Sequence, residues 1–377
     1  MKKFSEIYQG QAPEAAYFCP GRVNLIGEHI DYNGGLVLPA AISLGITAHI
    51  RKNGTRYINL CSDHSEEITS LSIDSLPEKT LHWTDYVVGV LHALRKKELV
   101  LEGCDVYFTS TLPQGSGLSS SAAIEVLSYY MFSHFIVGID PNRLSMAVDC
   151  QSVENNFIGV NCGIMDQFAV AMGKANHALL LNCSSLDYEE VPVSFGKYAL
   201  LIINSSAPRT LALSAYNARR TECDAALAQL RTSQELTNLV DATLDNVEQL
   251  SDELLKKRAR HVVSEQQRVM DSVAALKAGK LEEFGRLLNA SHASLREDYE
   301  VSSAQLDFIV NAAQHVEGCL GARLTGAGFG GCCIALIEEQ SISSFQLSLE
   351  KAYSEQFNLN LSFYPCKISD GVHPLTI

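Results

Sequence analysis

The chain has 377 residues, of which 29 are Lys or Arg and 43 are Asp or Glu, so its formal net charge is −14. Hydrophobic residues make up 46% of the sequence and charged residues 19%, a balance that excludes disorder as the main state and predicts a substantial core. The acidic surplus argues against a nucleic-acid-binding protein, because a surface that follows a phosphate backbone needs an excess of Lys and Arg.

The apolar stretches and the cysteines predict a protein of the cytoplasm. Met1-Lys2-Lys3 leads into polar residues without the apolar core of a secretory signal, and the longest apolar stretch, residues 36–50, is interrupted by Pro39 and Gly45. No membrane span is therefore expected. The eleven cysteines are odd in number and include no Cys-x-x-Cys pair or zinc-type Cys/His cluster, so we expect reduced thiols without disulfides or zinc.

The first half of the chain alternates predicted strands and helices. β-Branched content and Gly/Asn punctuation predict strands at 36–50, 57–61, 105–111, 178–183 and 198–204. A loop over 112–120 leads into an apolar helix over 121–136. Asp140-Pro141 predicts the start of another helix, with Asp140 at the N-cap and Pro141 at the first helical position, which runs to about residue 155.

Residues 21–35 place many polar groups between apolar segments, in the order Gly-Arg-Val-Asn-Leu-Ile-Gly-Glu-His-Ile-Asp-Tyr-Asn-Gly-Gly. Glu28, His29 and Asp31 offer several hydrogen-bond acceptors and one switchable donor, which suits the hydroxyls of a polyol. Arg22 could supply a planar fork for phosphate. The alternative is a satisfied buried cluster in which Arg22 pairs with Glu28 or Asp31 and His29 is a core histidine.

The loop before the predicted helix at 121–136 is rich in glycine and serine, with the sequence Pro-Gln-Gly-Ser-Gly-Leu-Ser-Ser-Ser-Ala-Ala over residues 113–123. Gly115 and Gly117 allow close approach of the backbone to a ligand, and the serines lie at a helix N-terminus, where aligned N–H groups favour phosphate. It is not a Walker A loop, because the Gly-Lys-[Ser/Thr] ending is absent. The alternative is an ordinary Gly/Ser turn with a serine cap.

The second half begins with helices and ends in a second α+β layer. Helical periodicity is found at 214–231, 254–276, 281–290 and 341–353, and strands are predicted at 322–325, 332–337 and 362–367. Two of these strands are joined by Gly-Ala-Gly-Phe-Gly-Gly at residues 326–331. A dinucleotide-binding turn would lead into a helix, so a tight glycine connection between strands, able to approach a ligand, is favoured.

The length predicts roughly two domains, at about 150 residues per domain. No internal repeat or low-complexity linker separates them. We therefore expect an extensive shared interface and a soft, interleaved boundary that divides residues 1–190 from 191–377.

Together these blocks resemble the three motifs of the GHMP small-molecule kinases, and among them the galactokinases. Residues 21–33 resemble the galactokinase signature, 112–123 the phosphate loop of the superfamily, and 321–332 its C-terminal glycine motif. Further matches lie at Glu154-Asn155 and at 162–168, which reads Cys-Gly-Ile-Met-Asp-Gln-Phe. The resemblance spans nearly the whole chain in the right order.

This resemblance implies an α+β, two-lobed GHMP kinase fold, with an N-terminal lobe like ribosomal protein S5 domain 2, a ferredoxin-like C-terminal lobe and the site between them. It implies transfer of the γ-phosphoryl group of ATP to the anomeric hydroxyl of D-galactose, which gives α-D-galactose 1-phosphate and ADP. The expected ligands are ATP, Mg²⁺ and a small sugar, and no obligate protein partner is implied.

The resemblance also assigns site residues. Asp166 matches the catalytic aspartate, and Arg22 matches the arginine that keeps this aspartate ionised and stabilises the transferring charge. The sugar-binding positions match at Glu28, His29, Ile30, Asp31 and Tyr216. The nucleotide-binding positions match at Ser62, Gly115, Ser116, Gly117, Leu118, Ser119, Ser120 and Ser121. The magnesium ligands match at Ser121 and Glu154.

Elementary chemistry agrees with these roles. Phosphoryl transfer depends on in-line positioning and on neutralising oxygen charge, and Mg²⁺ prefers hard oxygen ligands, with one or two from the protein. A carboxylate at Asp166 could either remove the proton of the sugar hydroxyl or only orient it. For both roles, the phosphate loop, Asp166 and Arg22 must lie together between the lobes.

One position departs from the usual galactokinase pattern, since Ile30 stands where many members have Thr. Related kinases that act on N-acetylgalactosamine can also have an aliphatic residue there. Another pyranose 1-kinase, acting on N-acetylgalactosamine or arabinose, is therefore an alternative. A non-catalytic sensor of galactose and ATP is a third, and the intact Ser119–Ser121 run with Asp166 and Arg22 argues against it.

Overall fold

The computed structural model describes residues 2–113, 115–208 and 212–377, and the strands in this part of the chain form three sheets. The strands are β1 (Ala15–Asn24), β2 (Leu36–Val37), β3 (Pro39–Lys52), β4 (Tyr57–Ser62), β5 (Ser65–Ser72), β6 (Cys104–Ser110), β7 (His177–Asn182), β8 (Tyr188–Pro192), β9 (Tyr198–Asn204), β10 (Cys319–Thr325), β11 (Cys332–Glu338), β12 (Ser362–Cys366) and β13 (His373–Leu375).

Helices connect and cover these sheets. They are α1 (Lys2–Ile7), α2 (Asp85–Lys96), α3 (Ser120–Met131), α4 (Arg143–Val153), α5 (Met165–Met172), α6 (Ala212–Leu230), α7 (Leu244–Glu248), α8 (Glu253–Lys277), α9 (Leu281–Glu297), α10 (Ala304–Gln314) and α11 (Ile342–Phe357). π-Helical turns follow α3 at Phe132–Val137 and α4 at Glu154–Ile158. Within the described residues, no helix combines the length and the apolar character needed to cross a bilayer.

The largest sheet has six strands in the order β13-β1-β3-β6-β4-β5. Its neighbours are antiparallel except for β4 and β6, which run parallel. Helices α3 and α5 pack against β1 and β3. Because β1 is buried along nearly its whole length, a charged side chain on it, such as that of Arg22, needs a partner inside the protein.

The single strand predicted at 36–50 is in fact two strands in different sheets. β2 pairs with β7 in the three-stranded sheet β2-β7-β8, whereas β3 pairs with β1 and β6 in the six-stranded sheet. Leu38 lies between them, and its backbone exchanges hydrogen bonds with Leu25 and Ile26. The apolar run is continuous in sequence, so its periodicity gives no sign of the change of sheet.

The four-stranded antiparallel sheet has the order β10-β11-β9-β12 and belongs to the second half of the chain. Strands β10 and β11 form a hairpin through the glycine turn at 326–331, so the predicted connection between two strands is confirmed. Helices α9 and α10 pack against β10, and α8 packs against α9. This sheet and its helices support one side of the site.

The predicted helices are confirmed with one wrong N-cap. The helix expected to begin at Asp140 and Pro141 begins at Arg143, because Asn142 is the N-cap and its side-chain oxygen accepts a hydrogen bond of 2.9 Å from the backbone N–H of Ser145. Asn caps a helix as well as Asp does, so the choice between two nearby cap residues depends on the path of the preceding loop.

One connected apolar core includes buried residues from both halves of the chain. The C-terminal strand β13 also pairs with β1, where Ala16 lies opposite Leu375. The proposed division between residues 190 and 191 stays a prediction. No disulfide joins any cysteine in the described part of the chain.

Candidate active site

Arg22 and Asp166 form a bidentate ion pair at the centre of the site. Nε of Arg22 donates to Oδ1 of Asp166 at 2.8 Å, and Nη2 donates to Oδ2 at 2.9 Å. The third guanidinium nitrogen, Nη1, donates to the carbonyl of Gly117 at 2.7 Å. The hydroxyl of Ser119 donates to Oδ2 of Asp166 at 2.6 Å. The carboxylate is therefore tied to the glycine- and serine-rich loop through both Arg22 and Ser119.

Local structure explains how these groups meet. The register of β1 shifts between Pro20 and Arg22, and a Cβ on Gly21 would lie 2.7 Å from the carbonyl oxygen of Leu118, so only glycine permits this approach to the loop. Asp166 lies in the first turn of α5, where the helix dipole favours a negative charge. Arg22 does not pair with Glu28 or Asp31, so the alternative of an ion-pair cluster within residues 21–35 is wrong.

A cavity of about 300 Å³ opens beside this ion pair. Its volume is at the lower end of the range for small-molecule sites. Its walls come from β1 and the segment after it, from residues 154–166, from α6 and from the glycine turn. The lining residues are Arg22, Glu28, His29, Asp31, Glu154, Val160, Cys162, Gly163, Met165, Asp166, Tyr216, Gly326 and Ala327.

Glu28 is fixed at the wall of this cavity by its Oε1 atom. That oxygen accepts hydrogen bonds from the backbone N–H of Gly326 at 2.7 Å and from the hydroxyl of Thr325 at 3.2 Å. Nη2 of the fully buried Arg323 lies 3.0 Å from the same oxygen, without the alignment of a hydrogen bond. Nη1 of Arg323 donates to the carbonyl of Leu25 at 2.8 Å. The carboxylate position is thus set by the protein.

Asp31 is the second carboxylate of the cavity. Burial, with the negative charges of Asp166 and Glu28, raises the pKa of Asp31 to about 7. A Cβ on Gly163 would lie only 2.1 Å from Oδ2 of Asp31, so the backbone of residue 163 presses directly against this carboxylate. A glycine at this position therefore determines where the carboxylate can lie.

Tyr216 and His29 supply aromatic walls. The ring centroids of His29 and Tyr216 are 5.6 Å apart, and those of Tyr32 and Tyr216 are 5.3 Å apart. Burial, followed by the nearby charge of Asp31, raises the pKa of Tyr216 well above its usual value, so its hydroxyl stays protonated and can both donate and accept.

Ile30 does not line the cavity with its side chain. Ile30 precedes a one-turn 3-10 helix, Asp31–Asn33. Its side chain is fully buried in the apolar core, where it packs against Gly35. A hydroxyl at position 30 would therefore not point at a ligand in this cavity. The assignment of Ile30 to the sugar-binding positions stays a prediction, which its buried side chain does not support.

The phosphate-loop segment turns sharply into α3. Gly115 and Gly117 have φ values of +66° and +77°, and Ser119 adopts the left-handed conformation at φ +63°. The side chain of Ser119 does not cap α3, so it leaves the N–H groups of the first turn to other acceptors. Ser116 donates its hydroxyl to the carbonyl of Pro113 at 2.7 Å.

The remaining residues predicted to bind the nucleotide lie partly in the core and partly at a second cavity. The side chain of Leu118 is buried in the core, and its backbone carbonyl accepts from the N–H of Arg22 at 3.2 Å. Gln114, which the sequence places in the same loop, lies outside the described residues. A second cavity, of about 390 Å³, adjoins the loop, and its lining includes Ser62, Trp83, Tyr86, Ser120 and Ser121.

Glu154 and Ser121 lie near each other at the walls of different cavities. Glu154 lines the first cavity and Ser121 the second. Burial raises the pKa of Glu154, and a hydrogen bond with the hydroxyl of Ser121 opposes this rise. Two adjacent hard oxygen donors next to a phosphate loop fit Mg²⁺, which takes its remaining ligands from phosphates and water.

A buried amide supports Glu154. Gln167 donates through Nε2 to Oε2 of Glu154 and, at 3.5 Å, to Oε2 of Glu125. Burial, together with the charge of Glu154, raises the pKa of Glu125 to about 10, so this carboxyl is neutral at pH 7. Sequence reasoning gave no role to Gln167, Glu125 or Arg323. The available signal was a polar or charged residue inside an apolar helix or strand, which requires a buried partner.

Comparison with known protein families agrees with the fold and the site. Residues 2–52 match the galactokinase galactose-binding signature, residues 85–174 the GHMP kinases N terminal domain, and residues 272–355 the GHMP kinases C terminal domain. The fold and site therefore define a GHMP kinase, and the predicted fold class is confirmed.

Full-length relatives narrow the assignment. The chain is 44% identical to the galactokinase of Staphylococcus saprophyticus over 99% of this chain and 98% of that protein, and 44% identical to the galactokinase of Enterococcus faecalis over 100% and 98%. The chain belongs to the galactokinase family.

Solved structures agree. The crystal structure of Lactococcus lactis galactokinase complexed with galactose superposes with a TM-score of 0.94 at 38% identity, over 99% of this chain and 98% of that one. The mevalonate kinase of Methanococcus jannaschii gives a TM-score of 0.70 at 20% identity, over 94% and 98%, and shows the shared fold alone.

Proposed function

We propose that this protein transfers the γ-phosphoryl group of ATP to the anomeric hydroxyl of D-galactose, giving α-D-galactose 1-phosphate and ADP. The observation that carries the proposal is the position of Asp166. It lines the smaller cavity and accepts a hydrogen bond from Ser119 of the phosphate loop. A sugar hydroxyl at Asp166 is thus next to the place where a nucleotide phosphate would lie.

The smaller cavity is the proposed sugar site. Glu28 and Asp31 supply carboxylate acceptors for sugar hydroxyls, and Tyr216 supplies an aromatic wall with a hydroxyl. The galactose complex of the Lactococcus lactis relative supports a hexose as the occupant. Because the side chain of Ile30 is in the core, it gives no support to a preference for N-acetylgalactosamine.

The phosphate loop and the larger cavity form the proposed ATP site. The N–H groups at the start of α3, with those of Gly115 and Gly117, would hold the triphosphate, and the nucleoside would extend toward Ser62. Ser121 and Glu154 would hold Mg²⁺, which when bound neutralises phosphate charge.

Arg22 and Asp166 carry the proposed chemistry. Asp166 accepts the proton of the anomeric hydroxyl or orients that hydroxyl for in-line attack. Arg22 fixes both carboxylate oxygens and adds a positive charge at the point where phosphate charge develops. We place this reaction in the cytoplasm, where ATP is supplied and where cysteines without disulfides are stable.

A sugar panel tests the proposal. ADP release is measured with ATP and Mg²⁺ and with galactose, N-acetylgalactosamine, arabinose or no sugar. We expect kcat/KM to be highest for galactose and ADP release to be absent without sugar. A higher value for another sugar would replace galactose as the substrate. Sugar binding without ADP release would indicate a sensor.

Asp166→Asn separates chemistry from binding. We expect kcat to fall by about 10³-fold, since a positioned acid or base contributes about 10²–10⁴-fold. The galactose dissociation constant, measured by calorimetry, should change only a few-fold. Asp224→Asn, on the exposed face of α6, is the control and should keep full activity. Normal turnover of Asp166→Asn would remove Asp166 from the mechanism.

A further inference from the structure

A continuous chain of hydrogen bonds runs behind the sugar cavity. Sγ of Cys223 lies 3.1 Å from the hydroxyl of Tyr299, which lies 2.8 Å from the hydroxyl of Tyr32. The Tyr32 hydroxyl is 2.9 Å from Nδ1 of His29, and Nε2 of His29 is 3.2 Å from the carbonyl oxygen of Ala327. This chain of hydrogen bonds connects α6, the segment after β1 and the glycine turn.

The carbonyl oxygen of Ala327 determines which atom is the donor in every hydrogen bond of this chain. The carbonyl of Ala327 has no proton to give, so Nε2 of His29 must donate to it. In a neutral imidazole Nδ1 is then an acceptor, and the Tyr32 hydroxyl must donate to it. The Tyr32 oxygen accepts from Tyr299, whose oxygen accepts from the thiol of Cys223.

The imidazole of His29 must be neutral for this direction to hold. Its side chain is almost fully buried, and burial, followed by the charge of His261, lowers the pKa of His29 to about 3. Arg219 and Arg323 act in the same direction. A cationic ring would carry a proton on Nδ1 and reverse the three links beyond it.

The occupied ring nitrogens change the role of His29. Neither nitrogen has a free position for a sugar hydroxyl, because one donates to Ala327 and the other accepts from Tyr32. The rings of His29 and Tyr32 instead pack against Tyr216, which lines the cavity. The chain of hydrogen bonds therefore fixes the two rings against which Tyr216 packs.

We propose that His29 and Tyr32 are positioning residues: the hydrogen-bond chain from Ala327 to Cys223 locks His29 in its Nε2–H tautomer and fixes the aromatic wall that places Tyr216 at the sugar. This inference rests on the proposed function only in taking the cavity as the sugar site. It assigns the sugar contacts of this wall to Tyr216 and not to His29.

The tautomer is tested directly by nitrogen NMR of histidine-labelled protein at neutral pH, without sugar or nucleotide. We expect His29 to carry its proton on Nε2 and none on Nδ1. Its resonances are assigned by their loss in His29→Gln. A proton on Nδ1, alone or with one on Nε2, would overturn the proposal. Because no turnover is involved, this result is independent of which sugar the enzyme phosphorylates.

Tyr32→Phe tests the positioning role. It keeps the ring against Tyr216 and removes the donor to His29, so we expect KM for galactose to rise about tenfold while kcat and KM for ATP change less than threefold. Tyr353→Phe is the matched control. It also removes a buried tyrosine hydroxyl, one on α11 that donates to the carbonyl of Ser205, just after β9, at 2.7 Å.

The two variants separate positioning from general destabilisation. An unchanged KM for galactose in Tyr32→Phe, or an equal rise in Tyr353→Phe, would overturn the proposal. Tyr299→Phe breaks the next link and should raise KM in the same direction. If another sugar replaces galactose in the panel, the same comparison is made with that sugar. A wild-type protein without turnover would contradict the proposed function while the NMR result still decides the tautomer.

Discussion

At the scale of single residues, the geometry of Arg22 matters as much as its charge. Its three guanidinium nitrogens each make a separate hydrogen bond, two to Asp166 and one to Gly117. Lysine keeps the charge but replaces this planar fork with one compact ammonium group. A single ammonium nitrogen cannot reproduce the planar arrangement that joins both carboxylate oxygens and the Gly117 carbonyl, so the carboxylate is less well oriented relative to the phosphate loop.

We therefore expect Arg22→Lys to lower kcat by at least about 10²-fold, a typical loss when one preorganised donor is removed. Steady-state kinetics with galactose and ATP provide the measurement. Arg143→Lys is the control, because Arg143 donates to the carbonyls of Ala171 and Val372 away from the cavity. A loss of only a few-fold in Arg22→Lys would make Arg22 a structural residue.

Asp31 predicts a pH dependence of sugar binding. Its pKa of about 7 means that the carboxylate, which we propose as an acceptor for sugar hydroxyls, is mostly protonated at pH 6 and mostly ionised at pH 8. Galactose should therefore bind more tightly as the pH rises, with a dissociation constant about tenfold lower at pH 8 than at pH 6. Calorimetry without nucleotide measures this.

The control is Asp31→Asn, which cannot ionise. Its affinity should be weak at both pH values and should lose most of the pH dependence. The prediction fails if wild-type affinity is flat between pH 6 and 8, or if Asp31→Asn retains the wild-type profile.

At the scale of elements, two helix N-termini use their polar residues differently. Ser119 precedes α3 but points its hydroxyl at Asp166, whereas Asn142 caps α4 by accepting from the N–H of Ser145. An N-cap stabilises a protein by about 1 kcal/mol, while a residue directed at the site contributes to activity.

We therefore expect alanine variants at Ser119 and Asn142 to have opposite effects, one on activity and the other on stability. Ser119→Ala should lower kcat about tenfold, a modest loss for one hydrogen bond to the proposed catalytic carboxylate of Asp166, with little change in the free energy of unfolding. Asn142→Ala should lower the free energy of unfolding by about 1 kcal/mol and leave kcat unchanged. Urea unfolding and steady-state kinetics on both variants decide. If Ser119→Ala lost stability without activity, its hydroxyl would be only structural.

Element boundaries were predicted well where the signal was local. The helix over 121–136 was expected because an apolar run follows a serine-rich start, and it forms as α3 and a π-helical turn. Helix α9 extends to Glu297, beyond the predicted end at residue 290. The periodicity is hidden there because Ser291 and His292 are polar but buried, and Ser291 bonds to Glu265 on α8.

At the scale of the whole molecule, Arg323 connects the two largest sheets. It lies on β10 of the four-stranded sheet, yet its side chain contacts the carbonyl of Leu25 and the carboxylate of Glu28, which follow β1 of the six-stranded sheet. Both side chains are almost entirely excluded from water. Removal of one partner would leave an uncompensated buried charge.

Arg323→Met should therefore lower the free energy of unfolding by about 3–5 kcal/mol, and the double variant with Glu28→Gln should recover part of this loss. Unfolding by urea is followed by circular dichroism and by the fluorescence of Trp83, the single tryptophan of the chain. Coincident transitions would show that both sheets unfold together. A loss below about 1 kcal/mol, or no recovery in the double variant, would show that the pair does not join them.

Features that depend on neighbours along the chain follow from the amino-acid sequence alone. The turn at Gly115 and Gly117 needs a left-handed backbone, and a helix start follows from the serines after it, so both were predictable from local conformational preference. The glycine hairpin at 326–331 followed from the apolar strand after it.

Which charged groups meet depends instead on how the chain folds in three dimensions. Arg22 could have paired with Glu28 or Asp31 nearby, but it pairs with Asp166, which is 144 residues away, and Glu28 is held by Arg323 instead. The tertiary structure also places Ile30 in the core and engages both ring nitrogens of His29 in internal hydrogen bonds. The physical reason is that burial makes an unpaired polar group costly, and the partner that relieves this cost is chosen by distance in space, which sequence spacing does not encode.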